Sequence, residues 1–164
     1  LTYPFFHKDL LEYDIEDPIR ETREWMYFLD FLKDYPDFKP YRTEWMVYDE
    51  DLKLSGSIDM VYENPDGSLN IYDWKRAKEI SRLNSFNKFA TTKCIRSMPD
   101  TNFWHYALQL NTYKAILERK YGKKVRDLYL IRLHPNADCY ERIVLPDLSK
   151  EVEMLFDLRL QEVS

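Results

Sequence analysis

Glycine is scarce in this chain, with three residues in 164. A linker or low-complexity segment would be richer in it, and the thirteen Tyr, nine Phe and four Trp point instead to an ordered, aromatic-rich fold. Cysteine is scarcer still. Cys94 and Cys139 could form one disulfide, but two thiols are too few for an iron–sulfur cluster or a Cys-only zinc site, and free thiols are the simpler expectation. No stretch approaches the roughly 18 uninterrupted apolar residues of a membrane helix. The N-terminus lacks the basic, apolar and small-residue succession of a signal peptide, so the expected setting is intracellular and off the membrane. Because the first residue is Leu1 rather than Met, the chain is expected to be one domain, 1–164, cut from a longer polypeptide.

A net charge of -5 argues against nucleic acid until its distribution is read. Between residues 76 and 99, Arg76, Lys78, Arg82, Lys88, Lys93 and Arg96 face the single acid Glu79, a local charge of +5 beside a remainder of -10. A basic segment next to an acidic body suits a phosphate-binding surface beside a cation site; it equally suits a solvated loop.

Periodicity and turn chemistry predict the order α-β-β-β-α-β-β-α. Asp17-Pro18 followed by Trp25, Phe28, Leu29 and Leu32 has the cap, first-turn proline and apolar stripe of a helix ending before Pro36. Extended segments follow at Arg42 to Tyr48, Leu54 to Tyr62 and Leu69 to Lys75, the last two joined by Asn64-Pro65-Asp66-Gly67. Residues 76–101 show no clear period and read as a long loop. A helix from about Asn102 to Tyr121 takes Asp100 or Thr101 as cap and Gly122 as stop. Strands at Asp127 to Leu133 and Tyr140 to Leu145 and a helix from about Leu148 to Leu160 complete the chain.

The chemistry sits on the second hairpin. With Pro65 and Asp66 in the middle of a type I turn and Gly67 in the left-handed bulge position, Asn64 faces Ser68. That register puts Asp59 opposite Asp73, about 5 Å apart at Cβ, with Lys75 on the same face. Two facing carboxylates repel unless one is protonated or a cation lies between them, and hard oxygen donors suit Mg2+ or Mn2+. Lys75 could then orient a water and offset charge developing at an attacked phosphorus. An ordinary surface ion pair, worth under about 1 kcal/mol, explains a bare D-x-K equally well.

The companions decide. Gly56-Ser57-Ile58-Asp59, Asp73-Trp74-Lys75 and Gln109-Leu110-Asn111-Thr112-Tyr113 resemble, in order and placement, the G-x-x-D, D-x-K and Q-x-x-x-Y motifs of RecB-like exonucleases in the PD-(D/E)xK superfamily. The resemblance covers roughly Trp25 to Leu133. It implies an α/β (α+β) domain with a restriction-endonuclease-like αβββαβ core, a mixed central sheet flanked by helices. It also implies Asp59, Asp73 and the Trp74 carbonyl as metal ligands, Lys75 as the catalytic lysine, and Gln109 and Tyr113 on a helix face approaching the site; by themselves those two read as a boundary residue and a core aromatic. Glu44 resembles an acid that some relatives carry on the first strand to complete the metal shell, although an edge-strand Glu is ordinarily just exposed. The upstream helix lacks the His of many relatives; His7 lies before it, and His105 and His134 sit elsewhere. Having two cysteines, the chain would fall in the cluster-free branch.

The expected activity is therefore metal-dependent hydrolysis of DNA phosphodiester bonds, as an exonuclease on ends or single-stranded regions. The six basic residues from Arg76 to Arg96 would touch phosphates without reading sequence, and Phe86 and Phe89 would either stack on unpaired bases or pin the loop to the body. Expected partners are DNA and neighbouring domains of a larger polypeptide, such as a helicase or a polymerase. A non-catalytic nucleic-acid-binding scaffold of the same fold and an endonuclease acting on RNA are the alternatives.

Overall fold

A computed structural model describes residues 22–76, 80 and 101–163. These fall into two compact units, the first within Leu1–Trp45, Ser57–Lys78 and Lys124–Leu145 and the second within Met46–Gly56, Glu79–Lys123 and Pro146–Ser164. Helix α1 (Arg23–Asp34) leads into β1 (Lys39–Asp49), β2 (Leu54–Glu63) and β3 (Leu69–Lys75). Then come α2 (Asn102–Lys120), β4 (Val125–Arg132), β5 (Glu141–Val144) and α3 (Ser149–Val163). The strands form one sheet in the order β1-β2-β3-β4-β5. β2 and β3 are antiparallel, β3 and β4 parallel, and β4 and β5 antiparallel, so the sheet is mixed. Among the described residues the element order is the expected one, and β3 has the bounds that the sequence predicts.

α1 begins later than its proline suggested. Thr22 holds the N-cap, its side chain accepting from the Trp25 N–H, with Glu24 in the first turn where the helix dipole favours an acid. Asp17 and Pro18 lie outside the described residues. One face of the helix buries Trp25, Phe28, Phe31 and Leu32 against Met60 and Tyr62 of β2, Tyr72 and Trp74 of β3, and Ile131 and Leu133. The packing is largely edge-to-face: Phe28 and Phe31 meet the Trp74 ring at centroid distances of 5.2 and 5.5 Å, contacts worth about 0.5–1.5 kcal/mol each beyond the area they bury. Since strand side chains alternate, the even positions of β2 and β3 that face α1 send Asp59, Asp73 and Lys75 to the opposite face.

In the second unit α2 buries Phe103, Ala107, Leu110, Asn111, Tyr113, Ile116 and Leu117. Thr101 takes the N-cap position, but its hydroxyl makes no capping bond; at the other end Gly122, at φ 63°, lets the Lys123 N–H reach back to the Leu117 carbonyl. The Asn111 amide donates to the Ala107 and Pro146 carbonyls and its oxygen accepts from the Leu148 N–H, tying α2 to the chain entering α3. α3 buries Val152 and Phe156, while Leu158 is 42% exposed. Among the described residues no helix is long and apolar enough to cross a membrane.

Candidate active site

The hairpin between β2 and β3 forms as its turn residues require. The Gly67 N–H donates to the Asn64 carbonyl at 2.9 Å, closing a turn with Pro65 and Asp66 at its centre, and Gly67 sits at φ 88°, a region costly for any residue with a Cβ. The Asn64 N–H donates to the Ser68 carbonyl at 2.7 Å, and the Asp66 carboxylate accepts from the Ser68 N–H. From that closure the ladder runs Glu63 with Leu69, Tyr62 with Asn70, Val61 with Ile71 and Met60 with Tyr72. The next pair in this register is Asp59 with Asp73.

The two carboxylates touch. Asp59 Oδ2 accepts from the Trp74 N–H at 3.0 Å, and Lys75 Nζ lies 2.7 Å from Asp73 Oδ2. Asp73 is only 5% exposed, and its Oδ2, near the ammonium but out of hydrogen-bond alignment with it, is a buried oxygen with no hydrogen-bond partner. Burial pushes the Asp59 carboxyl up to about 8, helped by the hydrogen bond and the charge of Asp73; the Trp74 N–H and Lys75 oppose the rise. Burial and like charge together thus make this pair hold a proton unless a cation replaces it. An orphaned buried carboxylate oxygen beside a second carboxylate is a donor set that a hard divalent cation fits.

The other expected site residues are distributed as follows. Glu44 is exposed on β1 with φ 45°, a left-handed conformation inside a strand whose exposure still alternates. Among the described residues no group of three or more His, Cys, Asp or Glu side chains comes together, so the structure does not add Glu44 to the Asp59–Asp73 pair. Gln109 is half-buried on α2 in the second unit, and so is Tyr113 buried there, its ring lying against Gly56, where an added Cβ would stand 2.3 Å from the Tyr113 Cε1. The G of G-x-x-D is thus the seat of the Y of Q-x-x-x-Y. Arg76 is not simply a free phosphate contact: its Nε donates to Glu24 Oε1 at 2.7 Å, while the side chain stays 64% exposed. Lys78, Arg82, Lys88, Lys93, Arg96, Phe86, Phe89, Cys94 and His7 lie outside the described residues. His105 is exposed on α2, and His134 accepts from the Asn136 N–H.

Glu24 was missed by the sequence reading. It is 4% exposed and clasps the residue after Lys75. Burial pushes its carboxyl up, but its own backbone N–H, Arg76 and the nearby His134 together hold it below the ordinary value. The signal was present: Glu24 precedes Phe28 by four and Phe31 by seven, so it shares the buried stripe of α1.

Nothing among curated proteins matches the chain. Among solved structures it is similar to EndoMS in a complex with double-stranded DNA, at 21% identity and a TM-score of 0.38 over 72% of this chain and 38% of that one. It is also similar to a putative exonuclease from Eubacterium rectale, at 11% identity and a TM-score of 0.44 over 96% of this chain and 70% of that one. The chain therefore spans well under half the length of the EndoMS chain. The sequence itself matches the PD-(D/E)XK nuclease superfamily over residues 9–158, nearly its whole length, and the chain belongs to that superfamily.

Proposed function

We propose that the chain hydrolyses DNA phosphodiester bonds with a divalent cation, Mg2+ or Mn2+, held by Asp59 and Asp73, and that it acts as an exonuclease on ends or single-stranded regions. The carrying observation is the buried contact of two carboxylates in which one oxygen has no hydrogen-bond partner and one acid is displaced upward. When bound, the cation would polarise the phosphate and lower the pKa of its water.

The remaining work belongs to the protein. The Trp74 N–H fixes the Asp59 carboxylate, so that oxygen is aimed before any ligand arrives. Lys75, whose ammonium already neighbours Asp73, offsets the negative charge that grows on the phosphate oxygens as water adds to phosphorus and the ester oxygen leaves with its electron pair. The products are a phosphate monoester and a free hydroxyl. Gln109 and Tyr113, by their motif, would place water or the DNA backbone, and the RecB-like assignment rests on the same three motifs. Arg76 to Arg96 would follow phosphates, giving sequence-tolerant binding that weakens steeply with salt.

The test is cleavage of labelled single-stranded DNA, duplex DNA and RNA by the purified chain with Mg2+, Mn2+ or EDTA, beside Asp73→Asn and Lys75→Ala. Shortening of DNA from an end, lost in EDTA and in both variants, is expected. Cleavage that survives both substitutions would refute the site, binding without cleavage would favour a scaffold, and preferential cutting of RNA would overturn the substrate.

A further inference from the structure

We infer that Tyr41, Arg42 and Trp45 of β1 form a ledge that stacks an unpaired base of single-stranded DNA beside the strand carrying Asp59. This deepens the nuclease reading and rests on it. On a regular strand, positions 42 and 45 point to opposite faces. Here Glu44 adopts φ 45°, a left-handed conformation that a non-glycine residue keeps only where its surroundings offset the cost, and such residues concentrate at ligand contacts. Exposure nevertheless alternates along β1, and the long Arg42 side chain reaches across so that its guanidinium lies 5.0 Å from the Trp45 ring centroid and 5.9 Å from that of Tyr41. The two rings are 5.8 Å apart and tilted by 58°, too open to stack on each other. Arg42 is exposed and both aromatics are half-buried. β1 is the edge strand of the sheet and the hydrogen-bonded neighbour of β2.

Flat aromatic and guanidinium groups recognise the π-face of any base and so tolerate sequence. In a duplex those faces are already stacked on one another, so the ledge selects single strands. Charge alone does not make it a backbone track, because exposed Glu44 offsets Arg42. Its contribution is therefore insensitive to salt, unlike that of a run of phosphate contacts.

The experiment measures binding of labelled single-stranded oligonucleotides to the full chain carrying Lys75→Ala, in Mg2+, so that both carboxylates remain and the DNA stays intact. Adding Trp45→Leu is expected to weaken binding about tenfold, as loss of one stacked base does, whereas Trp45→Phe keeps most of it and duplex binding is unchanged. A single abasic residue moved along the oligonucleotide should cause a matching loss at one position in the parent and none with Trp45→Leu, at about 50 and 200 mM salt alike. A Trp45→Leu chain that melts lower yet binds single strands as tightly as its parent overturns the ledge and leaves the nuclease reading standing. A parent that binds no DNA overturns both.

Discussion

Replacing Asp59 by Asn tests the carboxylate pair through stability as well as activity. The Asn amide is nearly isosteric: its oxygen can still accept from the Trp74 N–H, and its NH2 can donate to Asp73 at any pH. In the metal-free wild type the Asp59 carboxyl titrates near 8, whereas in the unfolded chain it returns to about 3.8. The folded state thus binds the proton more tightly. The stability this proton confers is complete below pH 3.8 and is lost as pH rises through about 8. Between pH 5 and 7 the unfolded chain has released the proton and the folded one has kept it. The wild type should therefore lose up to about 1.4 kcal/mol per pH unit, or about 3 kcal/mol over that span, on this account. Asp59→Asn has no such term. Urea denaturation in EDTA from pH 5 to 8 should show the variant gaining on the wild type as pH rises. Saturating Mg2+ or Mn2+ at pH 7.5 should then reverse the order, because a ligand at a hundred times its Kd stabilises by about 2.7 kcal/mol and the variant has lost half the site. Parallel pH profiles for the two proteins, or equal stabilisation by metal, would refute the reasoning.

Gly56→Ala should cost about 1–3 kcal/mol in urea denaturation, because the new methyl meets the Tyr113 ring at 2.3 Å, and Tyr113→Leu in the same chain should return part of it. Asn111→Ala should cost about 2–4 kcal/mol by the same measurement, since it leaves the Leu148 N–H and Pro146 carbonyl without their partner in a site 1% exposed. Arg76→Ala should destabilise the protein at neutral pH. Glu24, held below its ordinary 4.5, contributes stability that is present above 4.5 and lost as pH falls through its lower folded value; without Arg76 only its own backbone N–H and His134 oppose the burial penalty, so this contribution shrinks. Melting temperatures from pH 7 to 3 should accordingly fall less steeply in Arg76→Ala than in the wild type.

The hairpin was readable because its geometry is local. Pro65, Asp66 and Gly67 fix the turn, the turn fixes the register, and strand alternation then places Asp59, Asp73 and Lys75 on one face. The start of α1 was misplaced because two residues with capping chemistry, Asp17 and Thr22, precede the same apolar stripe, and only the observed bond from the Trp25 N–H to Thr22 chooses between them. Glu44 was assigned by its resemblance to an acid that some relatives carry on the first strand; nothing about a Glu in sequence announces the left-handed conformation it adopts.

The sequence alone determined the element order of the described residues, the second hairpin and the meeting of its two acids, since each depends on side chains a few positions apart and on the local period of a helix or strand. Tertiary structure decided the rest: that Glu24 reaches Arg76 across 52 positions, that the Tyr113 ring rests on Gly56, and that Arg42 lies over Trp45. Those contacts depend on which distant surfaces pack together and on a backbone kink held by its surroundings, and no local propensity encodes either.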